Sequence, residues 1–293
     1  MFLFLLLSPG ILYPAPKNTS TGLAFLKLGI GARAIAMGEA YSALSTDASG
    51  LYYNPAGIAL GNENEVTVMH KQWIFGTATE YLAGTFHDRA LAFGISLNST
   101  NIDGIELRQQ PGPSEGTFGL HDFAVSGTAS WRVDSSLSVG ASAKLLYEKI
   151  FVNESNGVAF DFGACYKIDG FGFAVALANL GSMSKLINDP ITLPAGIRVG
   201  ASFENSLTTE FALTFSGDGI RVFKDEGFRL HLGCEVLYRS VLAVRSGYQV
   251  GYEAKGVSGG IGVRYAYVQF DYAYVPMSDQ LGNAHTFGLT FNL

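Results

Sequence analysis

The sequence predicts an all-β membrane protein: a fourteen-stranded antiparallel up-and-down transmembrane β-barrel with a short helical N-terminal plug. Three observations lead there. The connections alternate between short and long, the strands between them have a two-residue period, and the composition is too apolar for a soluble β-protein.

Six connections read as short turns, at His87-Asp88-Arg89, Val133-Asp134-Ser135, Ile168-Asp169-Gly170, Glu204-Asn205-Ser206, Arg239-Ser240 and Ala266-Tyr267. Longer ones lie between them, at about 74–78, 99–119, 151–156, 182–192, 217–227, 253–256 and 277–284. In a closed up-and-down barrel every second connection faces the same compartment, so six short and seven longer ones require fourteen strands. An even count brings both chain ends to the short-turn side. For an outer-membrane barrel that side is the periplasm.

The strands alternate as a barrel wall must, with one face toward lipid and one toward the lumen. In 228–238, Phe228, Leu230, Leu232, Cys234, Val236 and Tyr238 share the apolar face, opposite Arg229, His231, Gly233 and Glu235. In 158–168, Val158, Phe160, Phe162, Ala164, Tyr166 and Ile168 stand against Ala159, Asp161, Gly163, Cys165 and Lys167. In 137–149 the outer set is Leu137, Val139, Ala141, Ala143, Leu145 and Tyr147.

A soluble sandwich alternates too, because one face of each strand covers a core. Soluble chains, however, carry about 25% charged residues. This one has 15% charged and 48% hydrophobic residues, and the face opposite its apolar set is too rich in Gly, Ser and Ala to build a sandwich core. With a net charge of −6 and no basic stripe, nucleic acid is excluded as a partner.

Three segments follow in order: a signal peptide over about 1–18, a plug over 19–60 and the barrel over 61–293. The apolar run 1–13 has the character of a signal h-region, although a basic n-region is missing. The segment 21–60 has no two-residue period and reads as short helices. Phe25, Leu26 and Leu28 form one stripe, 33–44 a second, and Asp47 suits the N-cap of a last turn through Ser49 to Tyr53. Asn54-Pro55-Ala56-Gly57 then ends helical geometry. Cys165 and Cys234 have opposite parity, so they are expected as two separate thiols.

Gly29-Ile-Gly31-Ala-Arg33-Ala34 fits G-x-G-x-x-A, yet no βαβ alternation follows it, so it is no dinucleotide site and no cofactor is expected. Gly31 is expected instead to let a helix approach the barrel wall. No H-E-x-x-H or C-x-x-C occurs, and the five histidines are scattered, which leaves no catalytic or metal-binding constellation. Lys144, Glu148, Asp161, Lys167, Arg229, Glu235, Arg245, Arg264 and Asp271 share lumenal parity. Buried charges persist when paired, so these residues are expected to form a cross-strand network, which Arg33 of the plug can join.

The stretch Phe25-Leu-Lys-Leu-Gly-Ile-Gly-Ala-Arg-Ala-Ile-Ala-Met-Gly-Glu-Ala40, with Asp47 and Leu51-Tyr-Tyr-Asn-Pro-Ala-Gly-Ile58, resembles the N-terminal signature of the PorV/PorQ family. The Asn-Pro-Ala-Gly element is shared with the wider FadL-like barrels. Likeness continues through Asn179-Leu-Gly181, Arg245-Ser-Gly-Tyr248, Gly256-Val-Ser-Gly-Gly-Ile-Gly262 and Asp271-Tyr-Ala-Tyr274. The resemblance implies a non-enzymatic outer-membrane barrel, both termini periplasmic, with Gly31, Arg33, Asn54, Pro55, Ala56 and Gly57 in its plug and turn motif. Its partners would be outer-membrane lipid together with secreted cargo proteins and attachment-complex subunits, as in type IX secretion. The alternative is a FadL-like channel for a hydrophobic small molecule. A strand continuing into 102–110 would make a projecting hairpin, better suited to protein docking than to lipid capture.

Overall fold

The computed structural model describes residues 21–108, 110–188, 190–279 and 281–293. The signal-peptide expectation over 1–18 and Gln109 of the expected hairpin lie outside them.

Fourteen strands form one closed antiparallel barrel in which each pairs with its chain neighbours. They are β1 Glu65–Gln72, β2 Ala78–Asp88, β3 Leu91–Leu107, β4 Gly116–Arg132, β5 Leu137–Ile150, β6 Asn153–Ile168 and β7 Phe171–Met183. The circle continues through β8 Gly196–Ser206, β9 Phe211–Val222, β10 Arg229–Tyr238, β11 Leu242–Val250, β12 Val257–Tyr265, β13 Val268–Pro276 and β14 Asn283–Asn292. It closes where β1 meets β14, with Glu65 opposite Asn292 and Gln72 opposite His285. Both ends of the barrel therefore lie at the short-turn rim. Closure removes the unpaired edge that an apolar environment would not tolerate.

Several connections differ from the expectation, 217–227 among them, since β9 runs on to Val222. Glu204-Asn205-Ser206 is strand, paired with β9, and the turn lies at 207–210. On the opposite rim the β5–β6 connection is only Phe151 and Val152, with Phe151 at φ 57°, so the alternation of short and long is not strict. The β3–β4 hairpin, in contrast, runs 17 residues on each strand where β1 has 8. It projects on the long-connection side, with a bulge between Ile102 and Ile105.

The outward face is an apolar surface of residues such as Ile95, Leu145, Phe160, Phe173, Val199, Phe215 and Val244. This is the band that acyl chains cover in a transmembrane barrel. The inward face is small and polar because it has to receive the plug.

That plug is less helical than expected. It holds a 3₁₀ turn at Ala24–Lys27, a one-turn helix α1 at Ala32–Ala36, a second, α2, at Gly50–Tyr53, and a 3₁₀ turn at Gly57–Leu60. The stripe expected over 33–44 stops after α1, because Gly38 and Glu39 take φ of 66° and 61° and turn the chain. Asp47 does accept from Gly50 N–H at 2.9 Å as α2 begins. Side chains from Ile30 to Tyr53 are almost entirely buried, so the plug fills the lumen as a core fills a domain.

Room for it comes from glycines of the wall. A Cβ at Gly140 would stand 2.5 Å from the Pro55 carbonyl oxygen, and one at Gly247 would stand 2.0 Å from Gly38 N. Gly31 lies against the wall, donating its N–H to Met69 Sδ of β1 at 3.1 Å, while Ser49 of the plug stands 2.6 Å from where its Cβ would be. Its φ of 80° also makes it the residue of a tight turn within the plug.

Candidate functional site

The plugged lumen is the candidate site. Its polar side chains belong to several separate groups, most of them tying the plug or a long connection to the wall.

Arg33 on α1 reaches Glu235 of β10 at two points, Nη2 to Oε1 at 2.7 Å and Nε to Oε2 at 3.0 Å. Glu235 also accepts from Arg245 Nε at 2.5 Å, and Arg245 Nη1 donates to Asp271 at 2.6 Å. Gln269 donates to Asp271 at 2.7 Å, and Arg264 completes the ladder by donating to Gln269 at 2.9 Å. Three adjacent strand pairs thus hold alternating charges, a geometry that bidentate guanidinium–carboxylate bonds favour. Burial opposes the Arg33 charge, but Glu235 outweighs it and keeps the guanidinium firmly protonated.

Asp218 of β9, which lay in a segment read as loop, holds the plug backbone. Its carboxylate accepts from Tyr41 N at 3.1 Å, Ser42 N at 3.0 Å, Ser42 Oγ at 2.7 Å and Arg198 Nη1 at 3.0 Å. The available signal was parity, since Asp218 continues the inward set of Thr214 and Ser216.

Glu39 pairs with Lys255 of the β11–β12 connection at 3.1 Å. Burial alone would raise the Glu39 carboxyl, yet Lys255, then His231 and Lys71, overcome it and hold the pKa at about 2. The Gly38 and Glu39 carbonyls accept from Gln249 at 3.0 Å and Arg198 at 2.9 Å.

At the Asn54-Pro55-Ala56-Gly57 turn, Asn54 Nδ2 donates to the Ala164 carbonyl at 3.2 Å and Oδ1 accepts from Ala56 N at 3.0 Å. Ser130 and Ser138 hydroxyls donate to the Ala56 carbonyl at 3.0 and 2.8 Å. Gly57 N–H donates to the Asn54 carbonyl at 3.2 Å, so polar groups freed from helical bonding here find partners, as burial demands.

Of the expected network, Lys144 pairs with Asp161 at 2.6 Å, apart from the Glu235 ladder. Arg229 pairs with Asp225 at 3.4 Å, and Asp225 also holds Lys27 of the plug at 3.2 Å. Lys167 meets Glu204 at 3.0 Å near the short-turn rim, half exposed. Arg264 finds a neutral amide rather than a carboxylate. Glu148 departs from the network altogether: among the described residues it has no ion-pair or hydrogen-bond partner. Parity places a charge on the lumen face, but strand stagger decides which charges come within reach.

Cavities flank the plug on both sides. One of about 290 Å³ opens at the short-turn rim, between Arg33, Asp47, Glu63, Glu65, Arg264 and Asn292. One of about 70 Å³ lies on the long-connection side between Leu26, Tyr52, Tyr53, Ile197, Arg198 and Tyr252. The wall beside the latter is irregular. Pairing of β6 with β7 shifts between Phe160 and Phe162, where Asn179 takes φ 59° and donates its N–H to Asp161 at 2.7 Å. On the inner side of this stretch Leu146 and Met183 pack with Leu23, Phe25 and Leu26 of the plug. The same two residues also line an open groove with the outward-facing Leu145 and Val158, and with Gly157, Asn156, Ser182 and Ser184.

The architecture has solved counterparts. CymD, a monoaromatic hydrocarbon channel, superposes with a TM-score of 0.64 at 14% identity over 90% of this chain and 96% of its own. The P. putida toluene transporter TodX gives 0.63 at 11% identity over 90% and 99%. A Pseudomonas aeruginosa FadL homologue gives 0.52 at 12% over 89% and 95%. No curated protein matches the chain. Residues 15–170 match the model of an uncharacterised protein family, UPF0164, and the chain belongs to that family.

Proposed function

We propose that this chain is an outer-membrane channel for a hydrophobic small molecule, with the segment 21–60 as its gate. The observation that carries the reading is the apolar seam at β5–β7, where Leu146 and Met183 touch the plug and also line an open groove with the outward-facing Leu145 and Val158. A hydrophobic solute gains free energy along such a surface, whereas a polar one would have to shed its water. The hydrocarbon and toluene transport named for CymD and TodX supports the same class of solute on the same fold. The secretion role implied by the PorV/PorQ resemblance has no support in these likenesses.

Uptake of a radiolabelled monoaromatic hydrocarbon by cells displaying the full chain tests the proposal. Wild type should exceed cells without the protein, and Met183→Trp, which fills the seam, should fall to their level. Equal uptake with and without the wild-type protein would sink it.

One observation favours a second reading, protein docking: the β3–β4 hairpin extends well beyond its neighbours. Mass spectrometry of what co-purifies after gentle detergent extraction separates the two. A bound hydrocarbon or fatty acid without protein supports the channel, and secreted proteins sharing a C-terminal sandwich domain support docking.

A further inference from the structure

On the lumen face Asp122 of β4 and Glu148 of β5 stand directly opposite each other in register. Both are buried, at 5% and 7% exposure. Like charges in facing positions repel, and buried carboxylates normally have a cationic partner. Here no side-chain cation serves. Lys144, two repeats of the pleat away on β5, is committed to Asp161 and Asn179 at 2.6 and 2.9 Å, and Lys27 to Asp225.

A neutral amide lies beside the pair in register. Asn98 of β3 pairs with Ala124 and lies diagonal to Asp122 on the same face, and it is 6% exposed. Its Oδ1 has no hydrogen-bond partner, and neither has Asp122 Oδ1. Flanking the carboxylates in the same row are two hydroxyls, Thr100 opposite Asp122 and Ser155 opposite Glu148. Thr100 already bonds Thr79 at 2.9 Å, and Ser155 donates to the Ser184 carbonyl at 2.8 Å. The buried side-chain oxygens left without a partner at this spot are Asp122 Oδ1 and Asn98 Oδ1.

We propose that Asp122, Glu148 and Asn98 bind a hard divalent cation of the calcium type on the lumen wall. Such an ion takes 6–8 oxygen ligands, which carboxylates, an amide carbonyl, hydroxyls and water supply. Its charge of +2 cancels the two carboxylates together. A shared proton fits less well, because it neutralises one carboxylate and leaves a buried negative charge on the other. The site spans β3, β4 and β5, so cation binding would clamp the base of the projecting hairpin to the wall of the barrel.

Full-length protein in detergent, stripped with chelator, should bind calcium saturably by calorimetry and sensitise terbium luminescence. Asp122→Asn should weaken calcium binding by more than about tenfold. Asp122→Asn combined with Glu148→Gln should abolish it, while Glu106→Gln on the hairpin tip leaves it unchanged. Should the double variant not fold, the wild-type titration decides alone. Absence of calcium and magnesium binding by wild type overturns the proposal, and so does binding that survives the double substitution. An infrared band of a protonated carboxyl that disappears in Asp122→Asn is the shared-proton outcome, and it overturns the proposal as well.

Discussion

Arg33 in the plug and Glu235 in the barrel wall form a two-point ion pair, with both guanidinium–carboxylate contacts at or below 3.0 Å. The residues are 202 positions apart, so this contact exists only when the barrel is closed around the plug. Glu235 is shared with Arg245, and the two cations have unequal alternatives. Arg245 retains Asp271, and Arg33 retains the Tyr41 hydroxyl and the more distant Asp47 carboxylate.

Removing the shared anion should therefore cost more than removing the plug cation. Glu235→Gln strands two guanidiniums beside one strong carboxylate and should destabilise by about 3–5 kcal/mol, the range for breaking a buried pair. Arg33→Met leaves Glu235 paired with Arg245 and should cost less. Thermal unfolding of the two variants in the same detergent measures the order, and a larger loss for Arg33→Met would contradict the geometry.

Plug docking should depend on pH through Glu39. Its carboxyl is held at about 2 in the docked state against an ordinary value of 4.5. The stabilisation is complete above 4.5 and is lost as pH falls from there toward 2, because the undocked state then takes up the proton first. The shift corresponds to about 3 kcal/mol. The melting temperature should fall through that acid window in wild type, with a visibly flatter profile for Glu39→Gln.

A methyl group added to the wall should lift the plug. Gly247→Ala places Cβ against the backbone of Gly38, which cannot move aside as a flexible side chain would. Overpacking of this kind costs about 1–3 kcal/mol. Gly127→Ala, whose Cβ meets nothing within 4 Å, should change stability by less than about 0.5 kcal/mol. Chemical or thermal melts of both variants give the comparison.

Intact protein in a planar bilayer should show no steady ion conductance, since the plug fills the lumen with packed side chains. Deleting 21–58 should open a persistent conductance, because the inward face that remains is small and polar. Sustained current through the intact chain would mean that the plug does not seal.

The sequence by itself determined the barrel, its strand number and the faces of residues in regular strands such as β5 and β10. These are local properties. The pleat sends alternate side chains to opposite faces, and a closed wall requires the alternation to persist along every strand. Even the exceptions were local, as with Glu204 to Ser206, whose polar residues look like a turn but extend a strand at the rim.

Only the tertiary structure decided which charges meet. Glu235 and Arg245 face each other because of register, and Arg33 joins them because the plug turns sharply at Gly38 and Glu39. Asp218 looked like a loop residue until its strand was paired, and Glu148 looked like a network member until the stagger placed it opposite Asp122. Periodicity is written residue by residue, whereas stagger arises from the pairing of whole strands and the path of the plug from contacts as far as 202 positions apart, and no short segment encodes them.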